Sequence, residues 1–170
     1  MKYIYTVILL LSLSRCNYKA KTDDQPVLSK KTFTYAEQQR VISDINFDIS
    51  KKQFDNLYKK YLESKKCKSG CTIDKFEYYT EYAKFKNDKL YSIEFANIGG
   101  YEKSIPEILN DAYQFVKSEY GEPDISKKLS SWPGNQIFTV YKWKIGKKNI
   151  EINVDRVKME LGVRLLIYKN

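Results

Sequence analysis

Histidine is absent from all 170 residues. That removes the usual general base near neutral pH, the imidazole metal ligand and any Ser-His-Asp or Cys-His arrangement. Arginine is scarce, standing only at Arg15, Arg40, Arg156 and Arg164, so the formal charge of +9 is carried almost wholly by lysine. Recognition of bases and phosphates favours the planar arginine fork. A lysine excess instead gives solubility and loose attraction to anionic surfaces, and no nucleic-acid partner is expected. No apolar run reaches the roughly 20 residues that a membrane-spanning helix requires. The sequence also lacks a phosphate-binding glycine loop, a dinucleotide fingerprint and any zinc-type spacing of ligands. Neither a metal nor a cofactor is expected.

What is present begins at the N-terminus. Lys2 precedes an apolar run from Ile4 to Leu13, about half the length of a membrane span, which Ser14, Arg15 and Cys16 then interrupt. This is the h-region of an export signal. The stretch Leu13-Ser14-Arg15-Cys16 resembles the lipobox of bacterial lipoproteins, with Arg15 where that pattern carries a small residue. The resemblance implies a lipid on Cys16 and residues 1–16 as the signal peptide. The protein is then expected in the bacterial cell envelope, lipid-anchored to a membrane, at the outer membrane or periplasmic face in a Gram-negative cell. Loss of Lys2 and Arg15, with no acid among residues 1–16, leaves +7 on the mature chain. Residues 17–42 read as a tether and N-terminal extension, since 17–34 is polar, without periodicity and contains Pro26. Residues 43–170 are expected to form one domain.

Three cysteines occur, and assigning Cys16 to lipid leaves Cys67 and Cys71 as a pair. An oxidising envelope suits a disulfide between them, and closing so short a loop contributes roughly 2 kcal/mol by chain entropy.

Two helices carry complete start signals. Ser50 and Gln53 make a capping box ahead of Phe54, Leu57, Tyr58, Tyr61 and Leu62, which share one face of a helix over 51–65. Ser104 and Glu107 repeat that pattern ahead of Ile105, Ile108, Leu109, Ala112, Phe115 and Val116, with Gly121 as the stop and Pro123 blocking continuation. Five strands are predicted, over 73–85, 90–96, 137–145, 150–155 and 163–168, with a short helical turn near 36–40 and a brief edge strand at 45–49.

Matching apolar faces selects a register for the strands. It sets Ile145 opposite Ile150, Trp143 opposite Ile152, Val154 opposite Val163 and Ile152 opposite Leu165. In the first hairpin it sets Phe85 opposite Leu90 and Glu81 opposite Glu94. The fold class predicted is α+β, an antiparallel sheet of about five strands with two helices on one face, in the order α-β-β-α-β-β-β.

Two groupings are candidates for function. Tyr78, Tyr79 and Tyr82, with Phe85, crowd one strand, and tyrosine supplies amphipathic contact area for a partner. Glu81 and Glu94, as cross-strand neighbours, are the one carboxylate pair close enough for acid-base work. Glu77 and Glu81 lie roughly 13 Å apart at strand rise, beyond the about 5 to 9.5 Å of glycosidase pairs. The helix-then-strand units, the Tyr120-Gly121-Glu122-Pro123 stop and the terminal meander behind a lipobox resemble two families, the SmpA/OmlA assembly factors and the β-lactamase-inhibitor-protein fold. That resemblance implies a domain that binds proteins. The expectation is a non-catalytic envelope lipoprotein with a protein partner, of assembly, inhibitor or immunity type. The alternative is an enzyme acting on glycan or peptidoglycan through carboxylates.

Overall fold

The computed structural model describes residues 31–67, 70–98, 103–130, 137–157 and 160–170. Cys16, the signal and residues 17–30 of the tether lie outside them, as does the turn at Pro133-Gly134-Asn135. Helix α1 spans Tyr35–Gln39, α2 Lys51–Ser64 and α3 Ile105–Tyr120. Strands β1 (Arg40–Ile42) and β2 (Ile45–Asn46) pair with each other, as do β3 (Cys71–Ile73) and β4 (Phe76–Tyr78). The remaining six are β5 (Thr80–Lys86), β6 (Lys89–Asn97), β7 (Ile125–Ser130), β8 (Ile137–Ile145), β9 (Lys148–Val157) and β10 (Glu160–Lys169). They form one antiparallel sheet ordered β5-β6-β10-β9-β8-β7.

The helices form where their caps lie. In α2 the Ser50 hydroxyl accepts from the Gln53 amide at 3.3 Å while the Ser50 amide donates to Gln53 Oε1 at 2.9 Å. In α3 the Ser104 amide and hydroxyl both donate to Glu107 Oε2, at 2.8 and 2.6 Å. Gly121, at φ +81°, turns the chain out of α3, a conformation that glycine adopts without cost. Phe54, Tyr58 and Tyr61 of α2 and Ile108, Leu109, Ala112, Val116 and Tyr120 of α3 are buried. They join one core with Ile93, Phe95, Trp143, Ile150, Ile152, Val163, Leu165 and Ile167 from the sheet.

The α+β class holds, but the sheet has six strands rather than five. The added strand is β7, whose Ile125-Ser126-Lys127-Lys128 shows little alternation because it is an edge strand with one neighbour. The single strand expected over 73–85 is instead three pieces. Asp74, at φ +53°, turns β3 back on β4 before β5 enters the main sheet.

The register of β9 with β10 is the one selected by apolar matching: Val154 faces Val163, Ile152 faces Leu165 and Ile150 faces Ile167. Between β8 and β9 it differs by two residues. Trp143 faces Ile150 and Ile145 faces Lys148, because Gly146 at φ +60° and Lys147 make a two-residue turn. A slip of two keeps every side chain on its face, so the core is preserved, but Lys148 is drawn into it. The β5–β6 hairpin begins with Phe85 opposite Leu90, as expected, and then bulges at Tyr91. One extra residue shifts the pairing, so Tyr82 faces Glu94 and Glu81 faces Phe95. The expected adjacency of Glu81 and Glu94 is therefore not formed.

The compact unit starts at Lys31, so residues 33–42, read from the sequence as extension, belong to the fold. Val41, Ile42, Ile45 and Phe47 are buried. Lys148, with no exposed surface, fastens this segment. Its ammonium donates to the Glu37 carbonyl at 2.5 Å, the Arg40 carbonyl at 3.1 Å and the Tyr120 hydroxyl at 3.0 Å, and lies 4.3 Å from the Tyr120 ring centre. Three N–H groups meet three acceptors, which is how a buried ammonium is tolerated.

Candidate functional site

Of the tyrosines singled out in the sequence, Tyr78 and Tyr79 lie at the C-terminal end of α2. Helix α2 ends as Lys66 turns to φ +54°, and the Cys67 amide donates to the Leu62 carbonyl at 3.1 Å. Cys67 is then bridged to Cys71, their Cα atoms 5.2 Å apart, which pins the start of β3 to the helix end. Beside this bridge lies a cleft of about 260 Å³ lined by Tyr58, Leu62, Cys67, Gly70, Cys71, Tyr78, Tyr79 and Glu81.

Each wall has an identifiable support. The hydroxyls of Tyr58 and Tyr78 share a hydrogen bond of 3.0 Å. Tyr61, next along α2, donates to the Thr72 carbonyl at 2.9 Å and so ties the helix to β3. Burial, reinforced for Tyr58 by that shared bond, raises the pKa of Tyr58 and Tyr78 above the ordinary tyrosine range. Both therefore act as neutral hydrogen-bonding groups and not as bases at physiological pH. Tyr79 lies over the backbone at Gly70, where a Cβ would sit 2.8 Å from its ring atoms Cδ1 and Cε1. Gly70 is what lets that ring lie so close.

The six residues proposed from sequence as a binding surface divide into two groups. Tyr78, Tyr79 and Glu81 line the cleft, whereas Tyr82, 62% exposed, stands opposite Glu94 on the other face of β5, with the Lys84 ammonium 5.6 Å from its ring centre. Phe85 belongs to the core side, 5.6 Å from the Phe54 ring. Glu94 is taken by Arg164, whose Nε and Nη2 reach its two carboxylate oxygens at 2.9 and 2.5 Å. Arg164 also holds Asp155 at 3.0 Å. Close beside this network on the outer face of the sheet, Lys142 and the Tyr168 hydroxyl both donate to Glu151. Glu94, Asp155 and Glu151 on this face are thus all partners in ion pairs.

Apolar matching in the sequence missed Lys148. The signal was present in Gly146-Lys147, a glycine-first pair that specifies a two-residue turn and places Lys148 opposite Ile145. Burial, followed by the nearby Arg40 charge, lowers the Lys148 pKa to about 8. Without exposed surface it meets no substrate and serves as a fastening.

Among the described residues no group of three or more Cys, Asp and Glu is arranged to hold a metal, and no helix is long and apolar enough to cross a membrane. Comparison with protein-family models, with curated proteins and with solved structures returns no match.

Proposed function

We propose that this chain is a cell-envelope lipoprotein, held to a membrane through a lipid on Cys16, whose domain binds another protein through the tyrosine surface beside the Cys67–Cys71 bridge. The observation that carries the reading is the state of that surface. Tyr79 is exposed in a cleft otherwise held still by a disulfide, a tyrosine pair and a helix end. Rigid aromatic groups lose little entropy on association, and tyrosine is enriched where proteins meet. The enzyme alternative needed Glu81 beside Glu94; the bulge at Tyr91 separates them, and Arg164 occupies Glu94.

The test is capture from detergent-solubilised envelopes with the full chain as bait. A partner recovered with wild type, Tyr35→Ala and Tyr82→Ala, but lost with Tyr79→Ala, supports the reading. Tyr35 and Tyr82 are the controls because both are more exposed than Tyr79 and lie outside the cleft lining. A partner retained by Tyr79→Ala places the docking face elsewhere.

A further inference from the structure

We propose that the domain meets the membrane with one particular end, at which exposed lysines and a tyrosine lie against the anionic headgroups of the bilayer; this rests on the reading that Cys16 carries a lipid. The sheet defines that end. The β5–β6 turn, the β8–β9 turn and the last residues of β10 share one rim, since Lys86 pairs with Lys89, and Lys148 pairs with both Ile145 and Lys169. The start of α2 is joined to this rim, where the Leu90 amide donates to the Ile49 carbonyl at 2.9 Å and the Lys51 amide to Asp88 at 3.1 Å. The end of α3 is joined to it through Lys148 and the Tyr120 hydroxyl.

The chain also enters the fold here. Lys31, where the compact unit begins, donates to the carbonyl of Glu119 in the last turn of α3 at 3.0 Å. Helix α1 follows at once, with Gln38 packed against the Gly146 turn. A lipid on Cys16 therefore draws this end towards the bilayer, and a weak attraction then suffices to hold it there, because the tether has already made the encounter intramolecular.

Charge provides that attraction. Four acids of this end are in ion pairs, Asp48 with Lys169, Asp55 with Lys51, Glu119 with Arg40 and Glu122 with Lys117. Glu37, Asp88 and Asp124 accept from backbone amides. Against these three stand six exposed lysines that form no ion pair among the described residues: Lys31, Lys52, Lys86, Lys89, Lys144 and Lys147. Each lysine close to an anionic surface favours it by about fivefold, so an excess of this size is enough to orient a tethered domain. At the far end of α2, around β3 and β4, Asp74, Glu77 and Glu81 offset Lys65, Lys66 and Lys75 among the described residues. Tyr35 adds an apolar contact. It lies one turn before Gln38 and is 76% exposed, more than any other large apolar side chain among the described residues. Tyrosine collects at the level of the headgroups, where its ring meets apolar and its hydroxyl wet surroundings.

The experiment reconstitutes the full chain, purified in detergent from the membrane fraction, with vesicles of phosphatidylcholine alone or with phosphatidylglycerol as about a third of the lipid. Lysines are acetylated in a short pulse and the extent at each is read by mass spectrometry. Lys52, Lys86, Lys89 and Lys147 are expected to react about fivefold more slowly on the anionic vesicles than on the neutral ones. Lys66 and Lys75 should react at one rate on both, and high salt should abolish the difference at the other four. Equal rates on the two vesicles overturn the proposal, and so does slowing of Lys66 and Lys75 to the same extent. The anchor is judged separately by flotation. Protein that floats with neutral vesicles but reacts equally on both keeps the anchor and loses the membrane-facing end. Protein that does not float with neutral vesicles loses the anchor, and the membrane-facing end then stands or falls on the slowing measured with anionic vesicles.

Discussion

Lys148 is where a single residue decides most. Its ammonium is fully buried, and its burial is compensated by two backbone carbonyls and the Tyr120 hydroxyl rather than by a directly bonded carboxylate. The charged and titratable groups around it are Arg40, Glu37, Glu119 and Tyr120, and burial together with the nearby Glu119 charge holds Tyr120 up at about 12. A lysine whose folded pKa is about 8 against an ordinary 10.5 is harder to keep charged in the fold than in the unfolded chain. Between those two pH values the unfolded chain binds the proton that the folded one has released, so stability rises with pH across that window. The gain is roughly 3 kcal/mol, at about 1.4 kcal/mol for each tenfold change in proton affinity. Above pH 10 the opposite sign appears, because Tyr58 and Tyr78 have raised pKa values and only the unfolded chain ionises them readily. Urea unfolding of wild type from pH 7 to 9.5 should therefore show rising stability relative to Lys148→Met, which cannot titrate. Parallel curves for the two proteins would refute the account.

At the scale of elements, the segment from α1 to β2 is joined to the sheet by fitted parts. The turn at Gly146 packs against Gln38 so closely that a Cβ there would fall 1.9 Å from Gln38 Oε1. Its φ of +60° is also one that other residues resist. Gly146→Ala is expected to destabilise by about 1 to 3 kcal/mol. Adding Gln38→Ala should recover the share due to collision and leave the share due to backbone strain, so thermal unfolding of the double variant separates them. No recovery would show that Gln38 does not rest on the turn. The same turn explains what the sequence could and could not disclose. Face matching succeeded for β9 and β10, where Ile150, Ile152, Val163, Leu165 and Ile167 are apolar without interruption. It failed by two residues at β8 because it paired apolar with apolar residues and left Lys148 in the turn; two of the three acceptors of Lys148 lie more than a hundred positions away in sequence. It failed by one residue at β5 because a bulge leaves no compositional trace at Tyr91. Both capping boxes were legible because their partners lie three residues apart. The cleft was half legible: Tyr78, Tyr79 and Glu81 are local in sequence, whereas Tyr58 and Gly70 reach them only through the fold.

At the scale of the whole molecule, the folded unit begins at Lys31, and Cys16 precedes it by a segment of 14 intervening residues, 17–30. At no more than about 3.4 Å for each residue, the proposed lipid on Cys16 would restrain the domain to within roughly 50 Å of the bilayer. Under the proposed anchoring, two forces would hold the protein at the envelope, and they would respond differently to salt. The excess of +7 expected on a chain cleaved before Cys16 would give an attraction to anionic headgroups that falls away within about 10 Å at 0.1 M salt and is screened further above it. An acyl anchor contributes about 0.8 kcal/mol for each buried methylene, whatever the ionic strength. Lipidation therefore predicts that wild-type protein stays in the membrane fraction through a 1 M salt wash, and that a fatty-acid analogue fed to the cells labels it. Cys16→Ser should abolish the label, and what remains bound at low salt should leave with the wash. Label that persists in Cys16→Ser would move the anchor elsewhere, and wild type that washes off unlabelled would reduce the attachment to charge alone.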